Sequence, residues 1–367
     1  MAERLIDLSE ADFKAAITAA AQSSGRPAYL LEKDLWVVWS LDALFRSPLG
    51  QHMTFKGGTS LSKVFKAIDR FSEDVDITYD IRQLIPDLAA GKDLPISSSQ
   101  QSKWTKAVRE RLPPFLTEQV RPLLDAAIAG DGLGGRLSVE ISGEKADSLL
   151  IAFPRRFNGP NYVAPYVRLE FGARATGEPH APHPVTCDMD GILPDLILPT
   201  ATAQTMCIER TAWEKATAAH VFCAKQTFRG DGERFSRHWF DLACLYASPH
   251  FAVIKEAQEV AKAVAIHKAL FFREKDAADQ VIDYGAAITG KLHLVPTGDA
   301  LHLLKDDYEQ MAASNMFFTE PPSFDDVMTS CGKMASEMNM AMLDLSKRLA
   351  DFRARKAGPD TSTKFEC

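Results

Sequence analysis

The run Phe55-Lys56-Gly57-Gly58-Thr59-Ser60-Leu61-Ser62-Lys63, followed closely by Arg70-Phe71-Ser72-Glu73-Asp74-Val75-Asp76-Ile77, constrains this chain more than any other feature. A short apolar stretch, Met53 to Lys56, leads into two glycines; SLSKVFKAI then reads as a helix, and VDITYD alternates with the period of a strand. The order is strand, glycine turn, helix, strand. Glycines at a helix start let the backbone approach a phosphate, and the helix N-terminus adds free N–H groups and a favourable dipole. A triphosphate suits such a turn. The G-x-x-x-x-G-K-[ST] spacing is absent, so this is not a Walker A loop.

Asp74 and Asp76 stand two apart on the predicted strand, so both carboxylates share a face while Val75 and Ile77 take the other. Like charges so placed repel unless a cation lies between them, and hard oxygen ligands suit Mg²⁺ shared with substrate phosphates. A third carboxylate beside a metal held this way could help to deprotonate an attacking hydroxyl. Two residues qualify on local pattern: Glu170, which shares one face of an alternating strand with Tyr166 and Arg168, and Glu140 in LSVEI on the same logic.

Around this centre the chain reads as α+β. Ser9 to about Leu44 is helical, broken at Gly25-Arg26-Pro27, with Trp36 and Trp39 as packing residues. Ile81 to about Ala129 is a helical insertion carrying an exposed polar loop, ISSSQQSK. Strands follow at RLSVEIS, SLLIAFP and YVRLEFGA, the first two joined as a hairpin across SGEKAD, with HPVTCDM a further candidate. Almost everything from Ala203 to Leu349 reads as helix. These patterns give a mixed-sheet domain over 1–200, with its insertion near 82–130, a helical C-terminal domain over 201–355, and a mobile tail over 356–367. A length of 367 residues exceeds the usual single domain, in keeping with that division.

No apolar run approaches the ~20 residues that span a bilayer, and MAERLIDLSEADF is charged rather than a signal peptide, so a cytoplasmic protein is expected. Six scattered cysteines form no C-x-x-C pair, which argues against a zinc site or a disulfide framework. His180 and His183, in a proline-rich loop with no third ligand, read as solvent-exposed, and the Met316-Phe317-Phe318 cluster as packing. A net charge of -7 confines any nucleic-acid contact to local patches. Arg155 with Arg156, and Lys225, Arg229, Arg234 and Arg237, are the candidates.

GGTSLSK at 57–63 and RFSEDVDI at 70–77, preceded by EKDLWV at 32–37, resemble the AbiEii and MenT-like nucleotidyltransferase toxins of the polymerase-β-like superfamily. VRLEFGAR at 167–174, ERTAWEK ending at Lys215, RHWFDL at 237–242, HKALFF at 267–272 and MFFTEPPSFDDV at 316–327 extend the resemblance over most of the chain. It implies a polymerase-β-like core, a mixed sheet with flanking helices, followed by the helical domain. It makes Gly57, Gly58, Thr59, Ser60 and Lys63 the nucleotide-binding turn, Asp74, Asp76 and Glu170 the Mg²⁺ ligands, and Lys215 a group on the triphosphate. Asp241 matches the last acid of the family's R-D-x-x-D-type segment, with His238 where an aspartate is common. Arg237 and Asp241 are four apart on one helix face, so a structural ion pair and a catalytic role both stand open for Asp241.

The implied activity is transfer of a nucleoside monophosphate from an NTP to RNA, the 3′ end of tRNA in first place, in a toxin partnered by an antitoxin. A non-catalytic RNA- or protein-binding module and a kinase moving the γ-phosphoryl group are the alternatives. Ser72, two residues before Asp74, is a further expectation as a phosphorylation site whose added charge would disturb the acidic face.

Overall fold

The computed structural model describes residues 2–142, 146–159, 163–226, 234–313 and 316–356. Residues 143–145, in the expected hairpin turn, Arg229 and residues 357–367 of the expected tail lie outside the described residues.

A two-residue strand, β1 (Glu3–Arg4), precedes α1 (Glu10–Ser24) and α2 (Ala28–Phe45). Ser9 caps α1 by accepting from the Asp12 backbone N–H, and Gly25 ends it at φ 71°, the left-handed conformation that glycine adopts without strain. Next come β2 (Met53–Lys56), α3 (Gly57–Lys63) and β3 (Asp74–Tyr79), in the expected order. α3 stops at Lys63, shorter than the SLSKVFKAI pattern suggests. Lys66 adopts φ 51° just beyond, and Ala67 and Ile68 pack against the C-terminal helices instead of extending the helix.

The insertion comprises α4 (Ile81–Leu84), α5 (Pro86–Ala89), α6 (Ser98–Phe115) and α7 (Arg121–Gly130). The stretch expected as a polar loop is largely the start of α6: Ser97 accepts from the Gln100 N–H, a cap that turns a serine-rich run into a helix N-terminus. The sheet strands β4 (Ser138–Ser142), β5 (Ser148–Ala152), β6 (Tyr166–Gly172) and β7 (His180–Thr186) follow, then β8 (Leu196–Ile197), paired with β1, and β9 (Thr200–Met206).

Among the described residues seven strands form a mixed sheet in the order β4-β5-β6-β3-β2-β9-β7. β9 corrects the expectation of helix from Ala203 onward: TATAQTM puts Ala201, Ala203 and Thr205 on a buried face, and strand pairing on both sides overrides the helix propensity of alanine. β7 lies at the edge, where Pro182 and Pro184, which have no N–H to donate, are tolerated.

The remainder is helical: α8 (Ile208–Lys225), α9 (Ser236–Ala247), α10 (Phe251–Glu256), α11 (Gln258–Phe271), α12 (Tyr284–Ala287), α13 (Asp299–Ala312) and α14 (Phe324–Lys356). Two large hydrophobic clusters result. One packs α1, α2, α6 and α7 on the sheet; the other joins α8 to α14 and takes in Leu61, Ala67 and Ile68. The segment after the glycine turn thus anchors in the second cluster while β2 and β3 belong to the first. Met316 packs with Leu30, Phe71 and Val163, and Phe317 meets Phe240 edge-on at 4.8 Å, so this cluster is packing. No helix among the described residues is long and apolar enough to cross a membrane.

Candidate active site

The β2–α3 turn and β3 are locked together by register, with Lys56 opposite Asp76. Gly57 has φ 78°, and a Cβ there would fall 1.9 Å from Asp76 Oδ2. The carboxylate therefore occupies space that only glycine leaves free. At Gly58 a Cβ would meet Arg70 Nη2 and Ser72 Oγ, each at 2.9 Å. The Thr59 hydroxyl bridges the Ser72 hydroxyl, at 2.9 Å, and the Asp74 carbonyl, while the Ser60 hydroxyl donates to the Gly57 carbonyl at 2.9 Å. Thr59 and Ser60 thus fix the turn, and Gly58 and Ser72 line the cavity beside it.

Lys63 is not brought to that cavity. Its Nζ is buried between Asp34, at 2.5 Å, and Asp188, at 2.8 Å. The neighbouring EKD triplet explains why this segment matters: Glu32, Lys33 and Asp34 are each 2% exposed and each paired, with Arg156, Glu73 and Lys63 respectively. Burying charges demands such partners. Arg156 is consequently a buried counter-ion of Glu32 and not part of an RNA-facing patch, and Arg155 donates to the Gly159 and Val163 carbonyls. Lys225 pairs with Glu274 at 2.8 Å.

On β3, Val75 and Ile77 are fully buried while Asp74 and Asp76 face the other way. β6 runs parallel beside it, with Asp74 paired to Arg168 and Asp76 to Glu170. Glu170 is thereby on the strand adjoining the two aspartates and lines the same cavity of about 500 Å³. Glu140 sits on β4, with β5 between it and β6, and does not line the cavity. The carboxylates hold their protons unusually well. Burial, then Asp74, raise Asp76 to about 6 against the pull of Lys56 and Lys215. Burial, then Asp76 and Asp74, raise Glu170 to about 7, although its side chain is 49% exposed. Burial and Glu73 raise Asp74. Among the described residues Asp76 has no hydrogen bond or close ion pair at its carboxylate, and Glu170 has only Arg168, at 3.9 Å.

This donor set fits a hard divalent cation: all ligating atoms are carboxylate oxygens whose mutual repulsion a cation would relieve. Among the described residues no three Asp, Glu, His or Cys side chains form a ready-made cage. A hard divalent cation can be held by one or two carboxylates, with water and phosphate oxygens completing its shell. His180 meets Gln204 and His183 meets Phe65, on a different part of the sheet.

The opposite wall is cationic. Lys215, on α8, contacts Asp241 at 2.9 Å, and Arg70 grips the same carboxylate through two hydrogen bonds of 2.8 Å. Burial would raise Asp241, but Arg70 and Lys215 outweigh it and hold it down at about 2. Asp241 is fully buried and does not line the cavity; it positions the two cations that do. Arg237 turns instead to Glu73, at 3.1 Å, and Asp74, at 3.8 Å, so the i,i+4 pair with Asp241 is not formed. Glu73 also holds Lys33 and Arg234, and these cations outweigh burial to keep it at about 2. His238 lines the cavity as a neutral ring: burial first, then Lys215, lower it to about 3. Arg70 and Glu73 are the residues that sequence reasoning left without a role, because their partners lie 171 and 161 positions away.

The description "Nucleotidyl transferase AbiEii toxin, Type IV TA system" matches residues 39–330. The nucleotidyltransferase toxin MenT4 from Mycobacterium tuberculosis H37Rv is similar at 14% identity and a TM-score of 0.39, over 90% of this chain and 98% of that one. JHP933 from Helicobacter pylori is similar at 14% identity and a TM-score of 0.42, over 88% and 97%. Comparison with curated protein sequences gives no match.

Proposed function

The chain belongs to the AbiEii nucleotidyl transferase toxin family of type IV toxin–antitoxin systems, and we propose that its acidic cavity transfers a nucleoside monophosphate from an NTP to a hydroxyl of RNA, with the 3′ end of tRNA as acceptor. The observation that carries this reading is the stacking of Asp76 over Gly57, beside Asp74 and Glu170, with Lys215 lining the same cavity.

Asp74, Asp76 and Glu170 would hold Mg²⁺. When bound, the metal supplies Lewis-acid polarisation of the phosphate and acidification of the attacking hydroxyl. Lys215 and Arg70, fixed by Asp241, neutralise the triphosphate and the charge that grows on leaving pyrophosphate. Because α3 has only seven residues, this role falls on side chains more than on a helix dipole. Gly58 leaves room for the phosphate chain beside Ser72, and Glu170 receives the acceptor's proton on a carboxylate oxygen. A modified tRNA 3′ end cannot be aminoacylated, which accords with a toxin, and a cognate antitoxin is the expected partner.

The test uses NTPs labelled at the α or the γ phosphate, Mg²⁺ and total RNA, with wild type and Asp74→Ala/Asp76→Ala in parallel. The α label should enter RNA and the γ label should appear in pyrophosphate, with neither result in the double variant. Transfer of the γ label to the acceptor would identify a kinase, and absence of both would identify a binding module.

A further inference from the structure

Lys56 ends β2 opposite Asp76 and is held by Glu214 at 3.0 Å. A second cavity, of about 300 Å³, opens here and runs between the sheet, α6 and α11. Its lining includes Thr78 and Gly172, two residues beyond Asp76 and Glu170 on the same sheet face, a step of roughly 7 Å along the strands. The cavity therefore continues the catalytic face in the direction away from Gly58 and Ser72.

Its chemistry differs from that of the acidic cavity. Lys56, Arg109, Arg174 and Lys268 line it against only Asp147 and Glu214. Glu214 is already committed to Lys56 and to Arg210, the latter at 3.2 Å. Arg109, Arg174 and Lys268 have no ion pair or side-chain hydrogen bond among the described residues. Arg174 and Lys268 lie instead over the Phe272 ring, 5.3 and 4.6 Å from its centre. His267 is only 7% exposed; its Nε2 is 2.9 Å from the Arg174 carbonyl, and its Nδ1 has no partner. A neutral imidazole that donates through Nε2 to a carbonyl leaves Nδ1 as a buried acceptor in want of an N–H or O–H.

We propose that this cavity receives the terminal nucleotide of the acceptor RNA, its backbone phosphate at Arg109, Arg174 and Lys268, its base beside Phe272, and a ribose hydroxyl or exocyclic amine on His267 Nδ1. The inference rests on the nucleotidyl-transfer reading of the adjoining cavity, which places the triphosphate on the Lys215 side and leaves this side to the other reactant. A protein hydroxyl acceptor would bring no phosphate to answer three cations that have no carboxylate partner among the described residues. A nucleotide answers the cations, the aromatic surface and the orphan acceptor together.

The test is equilibrium binding of a 5′-labelled RNA hairpin with a single-stranded 3′ overhang, without NTP and over a range of salt, together with the KM for NTP. The variants are Arg174→Gln, Lys268→Gln and Arg109→Glu, the last at an exposed position of α6 where the fold is insensitive. Arg174→Gln with Lys268→Gln should weaken RNA binding roughly tenfold or more and flatten its salt dependence by about 0.7 to 0.9 per lost phosphate contact. Arg109→Glu should weaken it in the same direction, with the KM for NTP unchanged in all variants. RNA affinity within roughly twofold of wild type, a raised KM for NTP instead, or no RNA binding by wild type would each overturn the proposal. Lost RNA affinity in a protein that adds no nucleotide would sink the transfer reading and leave this cavity's role intact. Normal nucleotide addition with unchanged RNA affinity in the variants would do the reverse.

Discussion

Asp76 and Glu170 are direct partners in the parallel ladder of β3 and β6, so their carboxylates leave adjacent strands on the same face. Among the described residues Asp76 has no close ion pair and Glu170 has only Arg168, at 3.9 Å; Asp74 raises Asp76, and both aspartates raise Glu170. The fold thus maintains a repulsion that a divalent cation would remove. Mg²⁺ should stabilise the protein in thermal unfolding, by about 2.7 kcal/mol at a hundredfold excess over its dissociation constant. Asp74→Ala/Asp76→Ala should show no such gain, and equal stabilisation of both proteins would count against the metal site.

Glu170 and Glu140 separate cleanly in the structure. Glu170→Gln should lower kcat by about 10² to 10⁴, the range for loss of a general base. Glu140→Gln, with β5 standing between its strand and β6, should retain wild-type kcat. The reverse ranking in steady-state assays would reassign the third carboxylate.

Gly57 should tolerate no side chain. Alanine there must adopt φ 78° and place its Cβ against the Asp76 carboxylate. The backbone conformation alone costs about 1–2 kcal/mol, and relief of the clash requires Asp76 to move. Activity should therefore fall more steeply than stability. Gly58→Ala needs no left-handed backbone and meets the ends of the Arg70 and Ser72 side chains at 2.9 Å, so it should cost less stability than Gly57→Ala.

Asp241 should behave as a positioning residue. Asp241→Ala leaves Arg70 and Lys215 without their shared counter-ion and should cost about 3–5 kcal/mol in urea unfolding. Its folded value of about 2 lies below the ordinary 3.8, so the unfolded chain takes up the proton first. The stabilisation is complete above about 4 and is lost as pH falls towards 2. Asp241→Asn should lack that part of the acid dependence; an acid profile identical to wild type would refute the assignment.

Lys215→Ala removes the cation proposed to face the phosphate chain and should reduce kcat by about 10² to 10³. Arg70 still holds Asp241 in this variant, so unfolding should shift less than in Asp241→Ala. Rapid-quench measurements with Lys215→Arg should recover part of the rate, because the charge is restored in altered geometry.

Much of the site is visible in the sequence because it is local. The alternation of VDITYD places Asp74 and Asp76 on one face, and YVRLEFG does the same for Arg168 and Glu170, as the ladder shows. What escapes is non-local. Lys63 looks like a phosphate-turn lysine, yet its counter-ions Asp34 and Asp188 are 29 and 125 positions away. The same holds for Arg156 with Glu32, 124 positions apart, which turns an expected surface patch into a buried pair. Asp241 has the correct spacing to Arg237 for an ion pair on α9, but Arg70 and Lys215 from other segments compete more effectively. β9 was obscured for a different reason: its small, weakly apolar residues resemble a helix until both neighbouring strands are present.

The most direct measurement is the mass of tRNA recovered after incubation with the four NTPs and Mg²⁺, for wild type and Asp74→Ala/Asp76→Ala. A gain of whole nucleoside-monophosphate units at the 3′ end, seen only with wild type, is the predicted result. An unchanged mass, or a gain that persists when both aspartates are gone, would contradict the assignment of catalysis to Asp74 and Asp76.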